Sequence, residues 1–291
     1  MAIERIAVLG GGLMGSGIAE VSAAAGLSVV VREIHDEAVE AAHARIAASL
    51  SRAVRHGKTT QAEADDALAR IHFTTHLHAL GDAQLVVEAV PEDVVLKTHV
   101  LREVAEVVTG DALIASNTSS IPIAELAAAV PESQRVLGLH FFSPVPVMSL
   151  VEVVVALDTS PETVATGNRF VERIGKTAIE TKDRSGFIVN MLLVPYLMAA
   201  VRMYEEGFAT REAIDEGMRH GCGHPMGPLT LCDMIGIDVL YSVCDELYEE
   251  FKRPEYAPPP LLKRMVAAGR HGRKTGRGFY DYDGARAVVS A

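Results

Sequence analysis

A glycine-rich loop near the start of the chain constrains the fold more than any other feature of the sequence. It follows a short β-branched run at residues 3–9 and consists of Gly10, Gly11, Gly12, Leu13, Met14 and Gly15. In such a G-x-G-x-x-G pattern the first glycine permits a tight turn, the second lets the backbone approach a pyrophosphate, and the third lets a helix pack close to a strand. The N-terminus of that helix would offer free N–H groups to the pyrophosphate. A glycine-rich turn without a ligand has the same pattern, so the surrounding sequence must decide.

The first half of the chain alternates between short apolar runs and longer amphipathic stretches. The predicted strands are residues 3–9, 28–33, 84–87, 112–115, 135–140, 150–155 and 177–181. The predicted helices between them are residues 14–25, 36–55, 92–108 and 161–174. Strand–helix–strand alternation at this spacing predicts an α/β, Rossmann-type, doubly wound and mostly parallel sheet.

The second half has a different, helical pattern. The predicted helices are residues 187–206, 210–217, 228–251 and 260–268. The change occurs at residues 183–186, so we predict a dinucleotide-binding domain at 1–184 and an all-helical domain at 185–291. The apolar stretch 187–203 contains Asn190, Pro195 and Arg202 and is shorter than the roughly 20 apolar residues of a membrane span, which indicates a buried helix.

Composition excludes some classes of function. The chain has 291 residues, and 27 Lys+Arg minus 38 Asp+Glu gives a net charge of −11. An acidic surface repels nucleic-acid backbones and anionic membranes, so neither is an expected partner. The odd set of three cysteines and the absence of a signal-peptide layout at the N-terminus favour a reducing, cytoplasmic compartment.

An acidic residue at the end of the second predicted strand indicates the type of dinucleotide. Glu33 lies about 20 residues beyond the glycine loop, where a carboxylate can accept hydrogen bonds from the adenosine ribose hydroxyls. The same charge repels a 2′-phosphate, which favours NAD over NADP. The neighbouring Arg32 is the kind of residue that a 2′-phosphate would attract, so NADP stays the less favoured alternative.

Three further polar features follow predicted strands. The serine-rich run 116–120 and His140 each end a strand, and therefore lie at the carboxyl edge of the sheet, while Glu152 lies inside an apolar strand and needs a partner. A Ser–His–acid set fits a hydrolase with Ser119 as nucleophile, but the chain has no G-x-S-x-G elbow. It also fits proton transfer from an alcohol while hydride passes to a nicotinamide, which the glycine loop favours. A core histidine satisfied by Glu152 is the structural alternative.

Several motifs in order resemble those of one enzyme family. They are Gly-Gly-Gly-Leu-Met-Gly (10–15), Ser-Asn-Thr-Ser-Ser (116–120), His-Phe-Phe-x-Pro-Val-Pro (140–146), Gly-Phe-Ile-Val-Asn (186–190), His-Pro-Met-Gly-Pro (224–228) and Lys-Thr-Gly-x-Gly-Phe-Tyr (274–280). The chain thereby resembles the L-3-hydroxyacyl-CoA dehydrogenases over nearly its whole length, and most of all their short bacterial 3-hydroxybutyryl-CoA dehydrogenase branch. The resemblance implies interconversion of L-3-hydroxyacyl-CoA and 3-oxoacyl-CoA with NAD.

The resemblance also implies roles for four catalytic residues. His140 matches the general base that takes the proton of the substrate 3-hydroxyl group, and Glu152 matches the carboxylate that orients the imidazole. Ser119 and Asn190 match residues that hold the substrate hydroxyl and the thioester end by hydrogen bonds. Because Asn190 lies in the helical half, the resemblance implies a site that closes between the two domains.

Cofactor contacts are implied in the same way. Glu92 and Lys97 match residues at the nicotinamide half, Ser119 belongs to the same set, and Lys274 matches a further cofactor contact. The family usually has asparagine where this chain has Ser143. A serine hydroxyl is shorter, so we expect a weaker contact or a water molecule in its place.

A basic group at the end of the second predicted helix has two interpretations. Arg52, Arg55 and Lys58 lie about one helical turn apart, and the corresponding region of the family contacts CoA. A solvated basic helix end, favoured by the helix dipole, explains them equally well. The His-Gly-Cys-Gly-His segment at 220–224 lacks a further ligand pair at zinc spacing, and the resemblance implies a turn here, so we expect no metal site.

Other functions remain open at this level. The chain could act on a 3-hydroxydicarboxylyl-CoA, a carrier-protein-bound hydroxyacyl thioester or a sugar acid, or could be a non-catalytic NAD-binding protein. The Phe141-Phe142 pair and the basic helix end favour an acyl thioester, and the presence of both His140 and Glu152 favours catalysis. The apolar face of residues 187–203 is too extensive for a small domain alone. By analogy with the family, the helical domain is expected to serve substrate binding and to form a homodimer interface.

Overall fold

A computed structural model describes residues 3–283 and 286–288. Its contacts divide the chain into two compact units, Met1–Arg184 and Ser185–Ala291. Among the described residues, no helix combines the length and apolar character needed to cross a membrane.

The first unit is built on a single large sheet. Its strands are β1 (Arg5–Leu9), β2 (Ser28–Arg32), β3 (Ile71–Thr74), β4 (Leu85–Glu88), β5 (Leu113–Ser116), β6 (Val136–Phe141), β7 (Leu150–Val155) and β8 (Thr177–Lys182). Within the described residues they form one eight-stranded sheet in the order β3-β2-β1-β4-β5-β6-β7-β8, parallel throughout except between β6 and β7. The predicted doubly wound, mostly parallel sheet is confirmed. The strand order reverses between β1 and β4, which places the binding crevice of such a sheet at their carboxyl ends.

The helices of the first unit connect these strands. They are α1 (Leu13–Ala24), α2 (Asp36–Arg55), α3 (Gln61–Ala69), α4 (Val94–Val107), α5 (Ile123–Ala127) and α6 (Pro161–Arg173). Several begin at a side chain that accepts a backbone N–H bond, as Asp93 does for α4 and Ser160 for α6. The central strands β4, β5 and β6 are buried along their whole length, which explains their unbroken apolar runs.

Sequence analysis missed α3, β3 and the short α5. Thr60 and Glu63 form a capping box at the start of α3, and this T-x-x-E pattern is a local sequence signal for the start of a helix. β3 has only four residues and lies at the edge of the sheet, with His72 exposed, so it has no long apolar run to detect. The apolar pattern of an edge strand is short because one of its sides faces solvent.

The second unit is mainly helical, as predicted. Its helices are α7 (Val189–Glu205), α8 (Arg211–Gly221), α9 (Pro228–Ile235), α10 (Ile237–Phe251) and α11 (Pro260–Ala267). The single helix predicted for residues 228–251 is wrong, because Gly236 separates α9 from α10 with a φ of 105°. Two short strands that were not predicted, β9 (Asp281–Asp283) and β10 (Arg286–Val288), pair antiparallel.

A buried aspartate holds the end of the second unit against its helices. Asp233 on α9 accepts hydrogen bonds of 2.9 Å from the backbone N–H groups of Phe279 and Tyr280 and from the hydroxyl group of Tyr282. Burial raises the pKa of Asp233, although these three bonds act in the opposite direction. Asp233 therefore fixes the segment that follows Lys274 at three points.

The three cysteines should differ sharply in reactivity. Cys222 is exposed, whereas Cys232 and Cys244 are buried, and all three are free thiols. Burial raises the pKa of Cys244 to about 12 and raises that of Cys232 well above its usual range, which removes the reactive thiolate.

We expect a maleimide reagent to label one thiol of the native protein rapidly and three after unfolding. Labelling of a Cys222→Ser variant should be slow, and rapid reaction of that variant would contradict the buried environment.

Candidate active site

The glycine loop joins β1 to α1 in a conformation that requires glycine. Gly10 has a φ of 86°, and a Cβ atom on Gly15 would lie 1.8 Å from the carbonyl oxygen of Gly10, so only hydrogen fits there. A Cβ atom on Gly12 would meet no protein atom within 4 Å. Leu13 is exposed beside it, and Met14 packs against the core. The start of α1 therefore presents accessible backbone, as a site for a phosphate group requires.

Both backbone polar groups of Gly11, its N–H and its carbonyl, are held by neighbouring side chains. The Glu33 carboxylate accepts a 2.6 Å hydrogen bond from the Gly11 N–H, and the hydroxyl group of Ser16 donates to the Gly11 carbonyl at 2.7 Å. The Arg45 guanidinium donates to the same carbonyl. Glu33, which the sequence singled out for ribose binding, thus also shapes the loop.

His140 and Glu152 form a buried pair across the only antiparallel strand pair of the described eight-stranded sheet. They are register partners on β6 and β7, and His140 Nδ1 lies 2.7 Å from Glu152 Oε2. The residues are 6% and 0% exposed. An ionised carboxylate only accepts hydrogen bonds, so Nδ1 is the donor of this bond when Glu152 is ionised. This arrangement suits a general base whose imidazolium form is stabilised by the carboxylate.

The loop after β5 is anchored by Glu92. Glu92 Oε1 accepts hydrogen bonds from the Thr118 hydroxyl at 2.5 Å, from the Ser119 N–H at 3.0 Å and from the Ser120 hydroxyl at 3.2 Å. Burial raises the pKa of Glu92, but the Lys97 ammonium and the bonds from Thr118 and Ser119 outweigh burial and lower it. The partly exposed Ser119 hydroxyl makes no hydrogen bond to another described residue.

Asn117 ties the ends of three neighbouring strands together. Its side-chain oxygen accepts a 3.0 Å hydrogen bond from the N–H of Phe141, the residue after His140. Its own N–H donates to the carbonyl of Glu88 at 2.8 Å. The carboxyl ends of β4, β5 and β6 are thereby fixed relative to one another.

Glu88, which sequence analysis missed, is the buried partner of Lys97. The Lys97 ammonium lies 2.7 Å from Glu88 Oε1, 3.1 Å from Glu92 Oε2 and 3.2 Å from the Val90 carbonyl. These three acceptors match the three N–H groups of the ammonium. Direct contact of Lys97 with the cofactor stays a prediction. Glu88 ends an apolar strand, so the rule that identified Glu152, an acid buried in a strand, could also have found it.

The remaining predicted site residues lie elsewhere. Ser143 is exposed in the loop between β6 and β7. In the second unit, Asn190 lies in the first turn of α7, and Lys274 forms a 2.6 Å ion pair with Asp238. Their roles toward substrate and cofactor stay predictions.

A cavity of about 810 Å³ in the first unit brings some of the predicted CoA residues together. Arg52 and Lys58 line it, while Arg55 lies outside the lining and all three are exposed. Glu20 forms a buried part of the wall, and burial raises its pKa against the opposing effects of Ser49 and Arg52. The cavity therefore combines an exposed basic rim with a buried carboxyl group.

The 220–224 segment has a local structural contact. His224 Nδ1 lies 3.1 Å from the hydroxyl group of Tyr196. Among the described residues, no group of three or more His, Cys, Asp or Glu side chains is arranged to hold a metal ion.

Comparison with known proteins agrees with this geometry. Residues 5–184 match the family model described as 3-hydroxyacyl-CoA dehydrogenase, NAD binding domain, and residues 186–282 match the model of the C-terminal domain. A 3-hydroxybutyryl-CoA dehydrogenase of Mycobacterium tuberculosis is 54% identical, with 97% of this chain and 99% of that protein covered. The crystal structure of M. tuberculosis FadB2 has a TM-score of 0.96 and 53% identity, covering 97% of this chain and all of that one. That of (S)-3-hydroxybutyryl-CoA dehydrogenase from Ralstonia eutropha has a TM-score of 0.92 and 44% identity, with the same coverage.

Alanine at two positions of the glycine loop should separate folding from cofactor binding. A methyl group on Gly12 meets only open space, so Gly12→Ala should cost about 0.5–1 kcal/mol of stability yet weaken NADH binding about tenfold or more. Gly15→Ala forces a carbon against the Gly10 carbonyl and should cost about 2–3 kcal/mol as well as binding. Thermal unfolding and fluorescence titration with NADH measure the two effects. Unchanged NADH affinity of Gly12→Ala would contradict a phosphate site at this loop.

Proposed function

This chain belongs to the 3-hydroxyacyl-CoA dehydrogenase family, and from that premise we propose that it interconverts short-chain L-3-hydroxyacyl-CoA, such as 3-hydroxybutyryl-CoA, and 3-oxoacyl-CoA with NAD. The observation that carries the proposal is the buried His140–Glu152 pair at the sheet edge that also holds the glycine loop. A dehydrogenase of this kind needs both a proton acceptor and a dinucleotide site.

The glycine loop fits the cofactor. The open space at Gly12 and the free N–H groups at the start of α1 suit a pyrophosphate. When bound, the nicotinamide ring accepts or returns the hydride of the substrate carbon. Glu92 and Ser119 lie in the loops that follow β4 and β5. With Lys97, Ser143 and Lys274 they make up the proposed set of further cofactor contacts.

His140 is the proposed general base. Its Nε2 atom takes the proton of the 3-hydroxyl group in the oxidative direction and returns it in the reductive one. Glu152, 2.7 Å from Nδ1, fixes the ring orientation and stabilises the imidazolium. Because both residues are buried, their interaction is only weakly screened by water.

Ser119 and Asn190 are the proposed hydrogen-bond partners of the substrate hydroxyl and thioester groups. Support for Ser119 comes from its backbone, which Glu92 fixes at 3.0 Å, while its hydroxyl group has no bond to another described residue. A fixed backbone with an available hydroxyl is suited to orient a ligand.

The basic rim of the cavity is the proposed contact for CoA. Arg52 and Lys58 line a space that also contains apolar side chains such as Val147 and Ile174. Phosphate groups suit the rim, and Arg55 supplies further positive charge nearby.

The second unit is the proposed substrate and dimerisation domain, since Leu192 and Phe208 are 71% and 77% exposed. Light scattering should give twice the mass of one chain.

Oxidation of NADH with acetoacetyl-CoA tests the function directly. Turnover that declines as the acyl chain lengthens supports a short-chain substrate. Preference for a dicarboxylyl-CoA or a carrier-protein thioester would favour those alternatives. NADH binding without turnover of any of them would identify a non-catalytic NAD-binding protein.

Removal of the imidazole should lower turnover strongly without loss of the cofactor site. We expect His140→Ala to lower kcat by about 10²–10⁴-fold, and Glu152→Gln by about 10²-fold, because the base is lost in one and misoriented in the other. NADH affinity should stay within about twofold of wild type. His72→Ala, which changes an exposed histidine of β3, is the matched control. Near-normal kcat of folded His140→Ala would refute the assignment.

The charge of Glu33 should set the preference for NAD over NADP. Glu33→Gln keeps an oxygen that can accept the Gly11 N–H but removes the charge that repels a 2′-phosphate. The ratio of kcat/KM for NADH to that for NADPH should fall about tenfold or more. Glu37→Gln, at an exposed position on α2, should leave the ratio unchanged. An unchanged ratio in Glu33→Gln would show that another feature selects the cofactor.

A further inference from the structure

Glu88 connects three separate elements through one buried carboxylate. The residue is 0% exposed at the end of β4. Its oxygens accept hydrogen bonds from the Val90 N–H at 2.7 Å, the Lys97 ammonium at 2.7 Å and the Ser116 hydroxyl at 2.6 Å. These donors belong to the turn after β4, to α4 and to the end of β5. One side chain therefore sets the spacing of these elements.

The electrostatic balance makes this arrangement sensitive to the loss of one charge. Lys97 is 1% exposed and lies between two carboxylates, Glu88 and Glu92. A buried charge is tolerated only when it is paired and hydrogen-bonded. If Glu88 were neutral, Lys97 would have Glu92 as its one charged partner and would compete with the loop for that carboxylate.

Two routes lead from Glu88 to the loop that carries Ser119. In the first, Ser116 donates to Glu88 and its oxygen accepts the Thr118 N–H at 3.2 Å. In the second, Lys97 pairs with Glu92, which accepts the Ser119 N–H at 3.0 Å. Both hydrogen bonds of the first route are buried, whereas the last bond of the second route, from the Ser119 N–H to Glu92, is exposed. A buried hydrogen bond is electrostatically stronger than one in water, so the first route fixes the loop more firmly.

We propose that Glu88 is a positioning residue, which holds the Ser119 loop in its reactive conformation through Ser116 on one side and through Lys97 and Glu92 on the other. The inference rests on the proposed function, in which Ser119 contacts the substrate. Glu88 itself acts only through these neighbours.

The test compares Glu88→Gln with a buried charge at the opposite edge of the sheet. Arg135 is 5% exposed and donates to the carbonyls of Thr109 and Ala112, which precede β5. Arg135→Met should lower the melting temperature yet leave kcat of the folded protein within about twofold of wild type. Glu88→Gln should lower kcat about tenfold or more, because small displacements of a positioning group have large effects on rate.

Hydrogen exchange of the full-length protein supplies a readout that does not depend on activity. The amides of residues 116–120 should exchange about tenfold faster in Glu88→Gln than in wild type, and at the wild-type rate in Arg135→Met. If Glu88→Gln does not fold, Ser116→Ala removes one route without leaving a charge unpaired. Ser116→Ala should lower kcat about threefold and should speed the exchange of the 116–120 amides by about the same factor.

The outcomes distinguish this inference from the proposed function. If the wild-type protein reduces acetoacetyl-CoA and both Glu88→Gln and Ser116→Ala keep its kcat, the positioning role is wrong and the function stands. If the wild-type protein does not turn over acyl-CoA substrates, the proposed function is wrong, and hydrogen exchange of the 116–120 amides alone tests the positioning role. Wild-type protection in the variants then overturns the inference, and lost protection confined to residues 116–120 supports it.

Discussion

The bond between His140 and Glu152 depends on a single reversal of strand direction. β6 runs parallel to β5 and brings His140 to the carboxyl edge of the sheet, where the glycine loop and the serine-rich loop also lie. β7 returns antiparallel, so Glu152 near its start meets His140 near the end of β6. A parallel strand would place its own carboxyl end at that edge and Glu152 away from it. The proton-accepting pair thus requires the mixed sheet.

Buried polar groups fix the loops at this edge of the sheet through hydrogen bonds and ion pairs. Glu88 ends β4, Glu92 lies in the loop after it and Lys97 lies in the first turn of α4. Their bonds reach the Ser119 loop. Removing one member of a buried ion pair typically costs about 3–5 kcal/mol, so such groups keep their geometry well. Rigid strand ends and preorganised loops allow a site to place a proton acceptor and a substrate hydroxyl group accurately.

The success of sequence analysis followed the strength of local patterns. The bounds of α2 (Asp36–Arg55) and β7 (Leu150–Val155) were predicted to the residue, because each combines a clear start with a regular apolar pattern. The edge strand β3 escaped detection since it is short and half solvated. The break at Gly236 depends on a positive φ, which the sequence does not reveal because glycine also occurs within helices.

The candidate site was predictable in its parts but not in its connections. By itself, the sequence determined a glycine loop after a strand, an acid at Glu33, and a histidine and an acid in neighbouring strands, because these are local patterns with a fixed periodicity. The resemblance of its motifs then identified the family. The tertiary structure alone decided that Glu33 bonds to Gly11, that Lys97 is enclosed by Glu88 and Glu92, and that Asn117 ties β5 to β6. These contacts join residues up to 24 positions apart, as in the bond from the Phe141 N–H to Asn117. Such partners are set by how strands and helices pack rather than by spacing along the chain.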